Sequence, residues 1–272
     1  MSTMNSTKIE WANNTWNVFS GCTKISPGCQ NCYASQLAER LRGTRAFPNG
    51  FDLTVRPHKL IEPYKLKQPS LVFVNSMSDL FWDAVPNELR DQIVDVMEST
   101  PQHEYMVLTK RAEAMLAFSR RRRLPSNFWA GVSIENQRYA HRADLLRQVD
   151  AEVRFVSAEP LLGPLDLDLT GIHWVIVGGE SGRHLHDPAK RGRRALVRKE
   201  GKRWVPREDR MQWVRDLRDT CESAGVAFFF KQWGGPAPKA GGNELDGRTW
   251  LQYPRLPGGH DGGRHVPATA EA

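Results

Sequence analysis

The chain has 272 residues, of which 40% are hydrophobic and 25% charged, with a formal net charge of +7 at pH 7. This is a globular composition, and the length suits one large domain or two small ones. The N-terminal segment has no signal-peptide pattern, and no apolar run approaches the roughly 20 residues that span a bilayer, so we expect a soluble, cytoplasmic protein that does not bind a membrane.

The predicted elements alternate between strands and helices along the chain. A weak strand candidate, WNVFS (16–20), precedes a loop, and NCYASQLAERLRG (31–43) predicts a helix that Gly43 closes. Apolar runs typical of buried parallel strands occur at 71–76, 104–109, 128–133, 153–158, 174–179 and 226–231. Helical spacing of apolar residues occurs at 87–99, 137–149 and 208–223. This order predicts an α/β fold with right-handed crossovers, as an open parallel sheet or a partial or complete (β/α) barrel.

The domain organisation follows from a change in composition near the C-terminal end. After Gly234 the chain becomes rich in Gly and Pro, so we predict that residues 235–272 form a mostly disordered tail. Residues 1–234 are predicted as the barrel domain, with a basic insertion at about 183–206.

Polar residues follow each predicted strand, which is where parallel α/β folds hold their chemistry. The segments are NSMSD, TKR, SIEN, SAEP, GGESG and KQWGG. We expect them to form the rim of one pocket, with helix capping and ion pairs at the rim as the alternative for each single residue.

Three of the four cysteines lie within eleven positions, at Cys22, Cys29 and Cys32, in the spacing C-x6-C-x2-C. In a reducing compartment, such clustering points to metal or redox chemistry rather than to disulfides. Pro27 and Gly28 bend the loop so that separated thiolates can converge.

Two kinds of metal centre suit these thiolates. Three cysteines can hold three corners of a [4Fe–4S] cluster and leave the fourth iron open for a substrate or cofactor. A zinc site is the alternative, but zinc prefers four protein ligands and would need a residue such as His58 or His103. Cys221 is a poor fourth ligand, because its helical spacing predicts a buried, inert thiol. The spacing therefore favours iron–sulfur over zinc.

A three-cysteine loop after the first strand of an α/β barrel resembles the arrangement of radical S-adenosylmethionine (SAM) enzymes. The whole chain is also similar to the phage-associated three-cysteine-motif proteins, a family of unknown function. The residues that carry this similarity are IEWANNTWNVFSGCTKISPGCQNCYA, VFVNSMSDLF, VLTKR, GVSIENQ, RFVSAEPLLGPLDL, WVIVGGESG and FFFKQWG, spanning roughly 8–234.

The radical SAM resemblance implies a barrel of that type, a [4Fe–4S] cluster on Cys22, Cys29 and Cys32, and a SAM molecule on its open iron. It further implies an external electron donor and cleavage of SAM to a 5′-deoxyadenosyl radical that abstracts hydrogen from a substrate. Candidate cofactor-binding residues are Ser76, Asp79, Ser133, Glu135, Ser157, Glu159, Gly178 and Gly179.

The resemblance suggests a specific role for several of these residues. Asp79 would accept hydrogen bonds from the SAM ammonium group, and Ser133 and Glu135 would bind ribose hydroxyls. Lys110 and Arg111 would neutralise the methionyl carboxylate or a substrate phosphate. Together with Glu180, these two cations are the candidate catalytic residues.

The excess positive charge predicts a polyanionic partner, with DNA or RNA first and a solvated basic surface as the alternative. The basic insertion contains Trp204 among Arg and Lys, so it suits clamping a phosphate backbone and stacking a base. A protein encoded by a neighbouring gene is a further candidate partner.

Three functions remain open from the sequence. The first is a radical SAM-like enzyme that modifies or repairs nucleic acid. The second is the same chemistry on a peptide or small molecule. The third is a nucleic-acid-binding module whose cysteines hold zinc and which has no catalytic activity.

Overall fold

The computed structural model describes residues 7, 9–237, 239–256 and 260–261. The α-helices are α1 Tyr33–Arg40, α2 Asn87–Glu98, α3 Ala112–Arg121, α4 His141–Arg147, α5 Pro188–Arg194 and α6 Glu208–Ala224. The strands are β1 Asn14–Thr15, β2 Phe19–Ser20, β3 Thr54–Val55, β4 Leu71–Val74, β5 Glu104–Thr109, β6 Phe128–Ser133, β7 Arg154–Ala158, β8 Trp174–Gly178, β9 Val197–Glu200, β10 Arg203–Pro206, β11 Ala227–Gln232, β12 Glu244–Leu245, β13 Arg248–Thr249, β14 Arg255–Leu256 and β15 His260–Asp261. Short 3-10 helices span Pro27–Cys29, Pro57–Lys59, Pro63–Lys65, Gln137–Tyr139 and Arg183–His186.

Seven strands form one curled parallel sheet in the order β1-β4-β5-β6-β7-β8-β11. Each neighbouring pair in this sheet is parallel. Because the strands follow chain order and α1, α2, α3, α4 and α6 lie between them, the sheet is built from repeated crossover units. The predicted fold class, a partial parallel (β/α) barrel, is confirmed.

The two faces of the sheet bury different side chains because residues alternate along each strand. Val74, Val107 and Val132 belong to the large core that the helices cover. Residues of the opposite parity form a second core on the concave face, with Phe73 and Phe229 among its members. Aromatic side chains dominate this interior at the amino-terminal and middle levels of the strands, and polar side chains follow at the carboxyl ends.

Residues from the two ends of the described chain meet across the gap between the edge strands β1 and β11. The ammonium of Lys231 lies 5.9 Å from the ring centroid of Trp11. The Tyr253 hydroxyl donates to the carbonyl of Glu10 at 3.3 Å, and Lys239 forms an ion pair with the Glu10 carboxylate. The curled sheet is therefore bridged by side chains rather than closed by strand pairing.

Part of the segment predicted as a disordered tail packs against the barrel. Strands β12 and β13 form a hairpin in which Leu245 is buried, and Trp250 is buried against Phe228. The Phe230 amide also donates to the Trp250 carbonyl at 2.8 Å. Composition alone did not reveal these apolar anchors among Gly and Pro. Residues 238, 257–259 and 262–272 lie outside the described residues.

The predicted strands and helices match the structure except near the N-terminal end, at α3, in the basic insertion and after residue 234. Of the weak candidate at 16–20, only β2 is extended, and it pairs antiparallel with β3 outside the main sheet. The edge of the main sheet is β1 instead. Helix α3 and the α5–β9–β10 unit were not predicted as elements.

No helix within the described ranges is long and apolar enough to cross a membrane.

Candidate functional site

The cysteine loop begins where β2 ends and lies at the carboxyl ends of the parallel strands. The Gly21 amide donates to the carbonyl of Met77, just beyond β4, at 3.1 Å. Cys29 ends a 3-10 turn, and Cys32 directly precedes α1. Backbone bonds from the Cys29 amide to the Ser26 carbonyl and from the Cys32 amide to the Cys29 carbonyl keep this part of the loop tightly turned. The thiols therefore stand at the end of the barrel where parallel α/β folds hold their sites.

All three loop cysteines are free and half-buried, and their surroundings differ in charge. Burial and the negative charge of Asp79 raise the pKa of Cys22 to about 11, against the opposing effect of Arg111. Burial also acts to raise the pKa of Cys29, but the Lys110 charge and hydrogen bonds from Ile25 and Ser26 outweigh it and lower that pKa. Positive charge from the end of β5 thus favours the thiolate at Cys29, whereas burial and Asp79 favour the thiol at Cys22 by raising its pKa.

Asp79 and Arg111 form the first anchor of the loop. Asp79 Oδ2 accepts from Arg111 at 3.0 Å and from the Lys110 amide at 3.2 Å, and Asp79 Oδ1 accepts from Thr109 Oγ1 at 2.7 Å. Arg111 also donates to Thr23 Oγ1 at 2.8 Å and lies 3.4 Å from Cys22 Sγ. Both carboxylate oxygens of Asp79 are engaged by the protein, so Asp79 positions Arg111 beneath the first cysteine.

Glu135 is the second anchor and is fully buried at the end of β6. It accepts a hydrogen bond from Ser26 Oγ in the loop and one from Arg142 at 3.1 Å, and Lys110 Nζ lies 4.0 Å away. A Cβ atom on Gly28 would overlap Glu135 Oε1, so only glycine lets the loop pass over this carboxylate. Glu135 therefore holds the loop on the barrel.

Glu180 and Arg194 form the third anchor, at the end of β8. Arg194 Nε and Nη2 donate to the two Glu180 oxygens, each at 2.6 Å. The same guanidinium donates to the Pro27 carbonyl at 3.0 Å and to Gln30 Oε1 at 2.9 Å, and Asn31 Nδ2 donates to Glu180 at 3.3 Å. Arg194 of the basic insertion thus links the end of β8 to the cysteine loop.

The other predicted site residues lie on the same rim. Ser76 is hydrogen-bonded to Asn17, and its carbonyl accepts from the Tyr33 hydroxyl at 2.6 Å. Ser157 Oγ donates to Glu159 Oε2 at 3.3 Å, and Glu159 pairs with Lys231 at 2.9 Å. These contacts extend the rim to the ends of β7 and β11.

Three of the predicted cofactor-binding residues, Ser133, Gly178 and Gly179, lie against neighbouring protein atoms. The buried Ser133 at the end of β6 offers its carbonyl to Arg142 at 2.7 Å. A Cβ atom on Gly178 would lie 2.7 Å from Glu159 Oε1, and one on Gly179 would overlap the Trp233 carbonyl oxygen. The close approach that this Gly pair allows is therefore to neighbouring protein atoms.

The expectation that the strand ends share one rim agrees with this geometry, although the residues are more ion-paired than free. Sequence reasoning missed Ser26 and Arg142 of the second anchor and Arg194 of the third. Arg142 had an indirect signal, since a carboxylate predicted at a strand end needs a cation if it is buried. No sequence signal distinguished Arg194, because it is one of many cations in a basic run.

Three free cysteine thiols on one loop are the number of protein ligands that a [4Fe–4S] cluster with one open iron takes. Among the described residues, no three His, Cys, Asp or Glu side chains converge as ligands of one ion. A tetrahedral zinc would need sulfur atoms about 4 Å apart, whereas a cluster takes its cysteines on separate irons and spreads them more widely. His103, a candidate fourth zinc ligand, lies at the amino end of β5 and so at the opposite end of the barrel. Cys221 is fully buried in α6, and burial raises its pKa to about 12, as expected for an inert thiol.

The ion pair of Glu180 predicts a dependence of stability on pH. Burial acts to raise the Glu180 pKa, but the hydrogen bonds and charge of Arg194 outweigh burial and lower the pKa from 4.5. A lowered native pKa contributes stability above pH 4.5 that is lost as the pH falls through the native value. We expect Glu180→Gln to reduce the free energy of unfolding by about 3 kcal/mol at pH 7, and the deficit to shrink below pH 4.5. Urea unfolding from pH 7 to 3 measures this, and a deficit that stays constant over the range would contradict it.

The basic insertion forms a compact unit beside this site. Asp187 caps α5 by accepting from the Ala189 amide at 2.8 Å, and strands β9 and β10 form an antiparallel hairpin. The Arg191 guanidinium lies 5.4 Å from the Trp204 ring centroid. The unit presents several exposed cations: Arg183, Lys190, Arg193, Lys199, Lys202 and Arg203.

Comparisons with known proteins give a family and a fold. The sequence profile described as "Protein of unknown function (DUF5131)" matches residues 6–206 and 199–254. That description contains no phage association. No curated protein matches the chain.

Three similar solved structures are forms of spore photoproduct lyase. A cysteine-to-alanine mutant with dinucleoside spore photoproduct and the same mutant alone each have a TM-score of 0.51, and a tyrosine-to-phenylalanine mutant has 0.50. Each is 12% identical, and the alignments cover 86% of this chain and 78% of the lyase chain. At this identity, the likeness establishes the fold class alone, a partial parallel (β/α) barrel that this chain shares with spore photoproduct lyase.

Proposed function

We propose that this chain, which belongs to the DUF5131 family of proteins of unknown function, is a radical SAM-type enzyme. Its proposed activity is to modify or repair a nucleic-acid substrate. Cys22, Cys29 and Cys32 would hold a [4Fe–4S] cluster, and a SAM molecule would bind beside it. The observation that carries the proposal is the cysteine loop itself, which three buried ion-pair anchors fasten to the carboxyl ends of the strands.

When bound, the cluster and SAM supply one-electron cleavage of the sulfonium bond and a 5′-deoxyadenosyl radical. The protein's part is to orient the reactants and exclude water. Lys110 helps to lower the pKa of Cys29, which favours the thiolate form that iron requires. Arg111 acts in the same direction on Cys22, although burial and Asp79 keep the pKa of that thiol raised. Glu135 and Glu180 balance the cations around the loop and hold its backbone in place.

The nucleic-acid substrate is supported by charge and by the fold comparison. The exposed cations of the basic insertion stand on the unit that reaches the cysteine loop through Arg194. Spore photoproduct lyase, which shares the fold, was solved with a dinucleoside photoproduct. Both observations favour a nucleic acid over a peptide or small molecule.

Anaerobic reconstitution tests the reaction type. We expect the full chain to bind iron and sulfide and, once reduced, to convert SAM to 5′-deoxyadenosine. A colourless protein that holds one tightly bound zinc and leaves SAM intact would instead support the zinc-stabilised binding module.

The nucleic-acid interface predicts a salt-dependent effect of charge removal. We expect Lys199→Ala together with Lys202→Ala to weaken binding to DNA or RNA and to reduce the slope of log K against log salt by about 1 to 2. The matched control, Lys65→Ala with Lys67→Ala, removes the same charge near the amino end of β4, away from the cysteine loop. Fluorescence anisotropy at several salt concentrations measures both. Equal losses in the two double variants, or no binding by the wild type, would reject this interface.

A further inference from the structure

An open groove runs along the exposed face of α1, the helix that begins directly after the last loop cysteine. Its volume is about 280 Å³, and it is lined by Tyr33, Gln36, Leu37 and Arg40. These positions follow the i, i+3, i+4, i+7 spacing of a single helix face. Ala34 and Ala38, on the other side of the helix, are buried against the protein. The groove therefore opens to solvent and begins beside the cysteine loop.

Tyr33 presents an exposed aromatic ring at the end of the groove nearest the cysteines. It directly follows Cys32, and 60% of the residue is exposed. Its hydroxyl donates to the Ser76 carbonyl at 2.6 Å, which ties the ring to the rim beyond β4. An exposed ring that is held at its hydroxyl loses little freedom when a second flat ring packs on it. Tyr33 is therefore suited to stacking.

Gln36 and Arg40 supply polar groups that the protein leaves free. Both residues are exposed, and within the described part of the chain no hydrogen bond or ion pair engages either side chain. By contrast, the nearby Arg42 is paired with Glu39. Arg40 lies about 10 Å along the helix from Tyr33, and helical side chains lean toward the N-terminal end, so Arg40 leans toward the aromatic ring.

We propose that this groove binds one nucleotide of a single-stranded nucleic acid. The Tyr33 ring stacks on the base, Arg40 pairs with a phosphate, and the Gln36 carboxamide hydrogen-bonds the base edge or the sugar. The groove is slightly smaller than typical small-molecule sites, which start at about 300 Å³, so it suits a single nucleotide unit. A protein partner would need a much broader surface.

The groove and the basic insertion lie on opposite sides of the cysteine loop. Arg194 links the insertion to the loop at the end of β8, whereas Tyr33 is tied to the rim beyond β4. Strands β5, β6 and β7 lie between these two strands in the sheet. A nucleic-acid strand bound at both places therefore crosses the mouth of the barrel. The inference deepens the proposed function, on which it rests for its ligand.

Stacking on Tyr33 predicts a loss of affinity that depends on the presence of a base. We expect Tyr33→Ala to weaken the binding of a single-stranded thymidine oligonucleotide about tenfold, the scale of base–aromatic stacking, and Tyr33→Phe to retain most of the affinity because it keeps the ring. An oligonucleotide of the same length with abasic units should bind the wild type and Tyr33→Ala equally. Fluorescence anisotropy with the full chain measures each affinity.

The phosphate contact of Arg40 predicts a change in salt dependence. We expect Arg40→Ala to reduce the slope of log K against log salt by about 0.7, the contribution of one phosphate on a single strand. Tyr64→Ala and Arg123→Ala are the matched controls. Tyr64 is an exposed tyrosine before β4, and Arg123 is an exposed arginine between α3 and β6, so both lie near the amino ends of strands. Both controls should bind like the wild type.

Equal affinities of Tyr33→Ala and Tyr64→Ala for the thymidine oligonucleotide would overturn the proposal. An equal loss on the abasic oligonucleotide would also overturn it, because that result indicates a structural role. If Arg40→Ala bound DNA normally but its cluster were reduced more slowly by an acidic redox protein, the groove would belong to that class of partner instead. Anisotropy needs no turnover, so failure to form 5′-deoxyadenosine would count against the proposed reaction and not against the groove.

Discussion

Replacing Cys22, Cys29 or Cys32 by alanine is expected to remove essentially all iron from the reconstituted protein. Three thiolates are the minimum that holds a cluster with one open iron, so a protein left with two retains no stable site. We expect the wild type to bind about four iron and four sulfide per chain, and each variant to bind almost none. Iron and sulfide analysis after anaerobic gel filtration measures this.

Cys221→Ser is the matched control for these variants, because it removes the one cysteine outside the loop. Its thiol is buried within α6 and lies apart from the loop in the fold, so the iron content should stay at the wild-type level. If all four single variants kept their iron, or if Cys221→Ser lost it as the others do, the assignment of the cluster to the loop would be wrong.

Replacing Arg194 by alanine is expected to produce the largest loss of stability among the rim variants. The change leaves Glu180 buried without its cation and frees the loop carbonyl of Pro27. Removing one partner of a buried ion pair costs about 3 to 5 kcal/mol. Urea unfolding measures the loss, and we expect iodoacetamide to modify the loop cysteines faster in the iron-free variant.

Arg193→Ala is the matched control at the preceding position of α5. Arg193 is exposed and belongs to the same basic run, so its removal should change the free energy of unfolding by no more than about 0.5 kcal/mol. An Arg194 variant as stable as the Arg193 variant would show that the insertion does not hold the loop.

Much of the sheet could be predicted because its strands are short, nearly uninterrupted apolar runs. β5 and β6 have the predicted bounds, since both faces of a parallel strand in such a barrel are buried. β1 could not be located, because its residues Asn14 and Thr15 carry no apolar signal and only pairing with β4 makes them a strand. The packing of Leu245 and Trp250 could not be predicted for a related reason, because they are isolated apolar residues in a Gly-rich segment.

The position of the site could be predicted from the sequence, but the contacts among its side chains could not. Polar residues after buried strands predicted the rim, because the carboxyl ends of parallel strands meet. The sequence did not show which side chains contact each other. Glu135 accepts a hydrogen bond from Ser26, and Glu180 forms an ion pair with Arg194, only when the cysteine loop and the basic insertion pack onto the ends of the strands.

The claim on which the rest depends is a cluster whose fourth iron is open to SAM. Electron-nuclear double resonance of the reduced protein, with SAM labelled at its carboxylate oxygens or amino nitrogen, measures that bond directly. We predict hyperfine coupling from the label in the wild type. A reduced cluster that shows no coupling to bound, labelled SAM, or a reconstituted chain that holds no iron at all, would contradict the account.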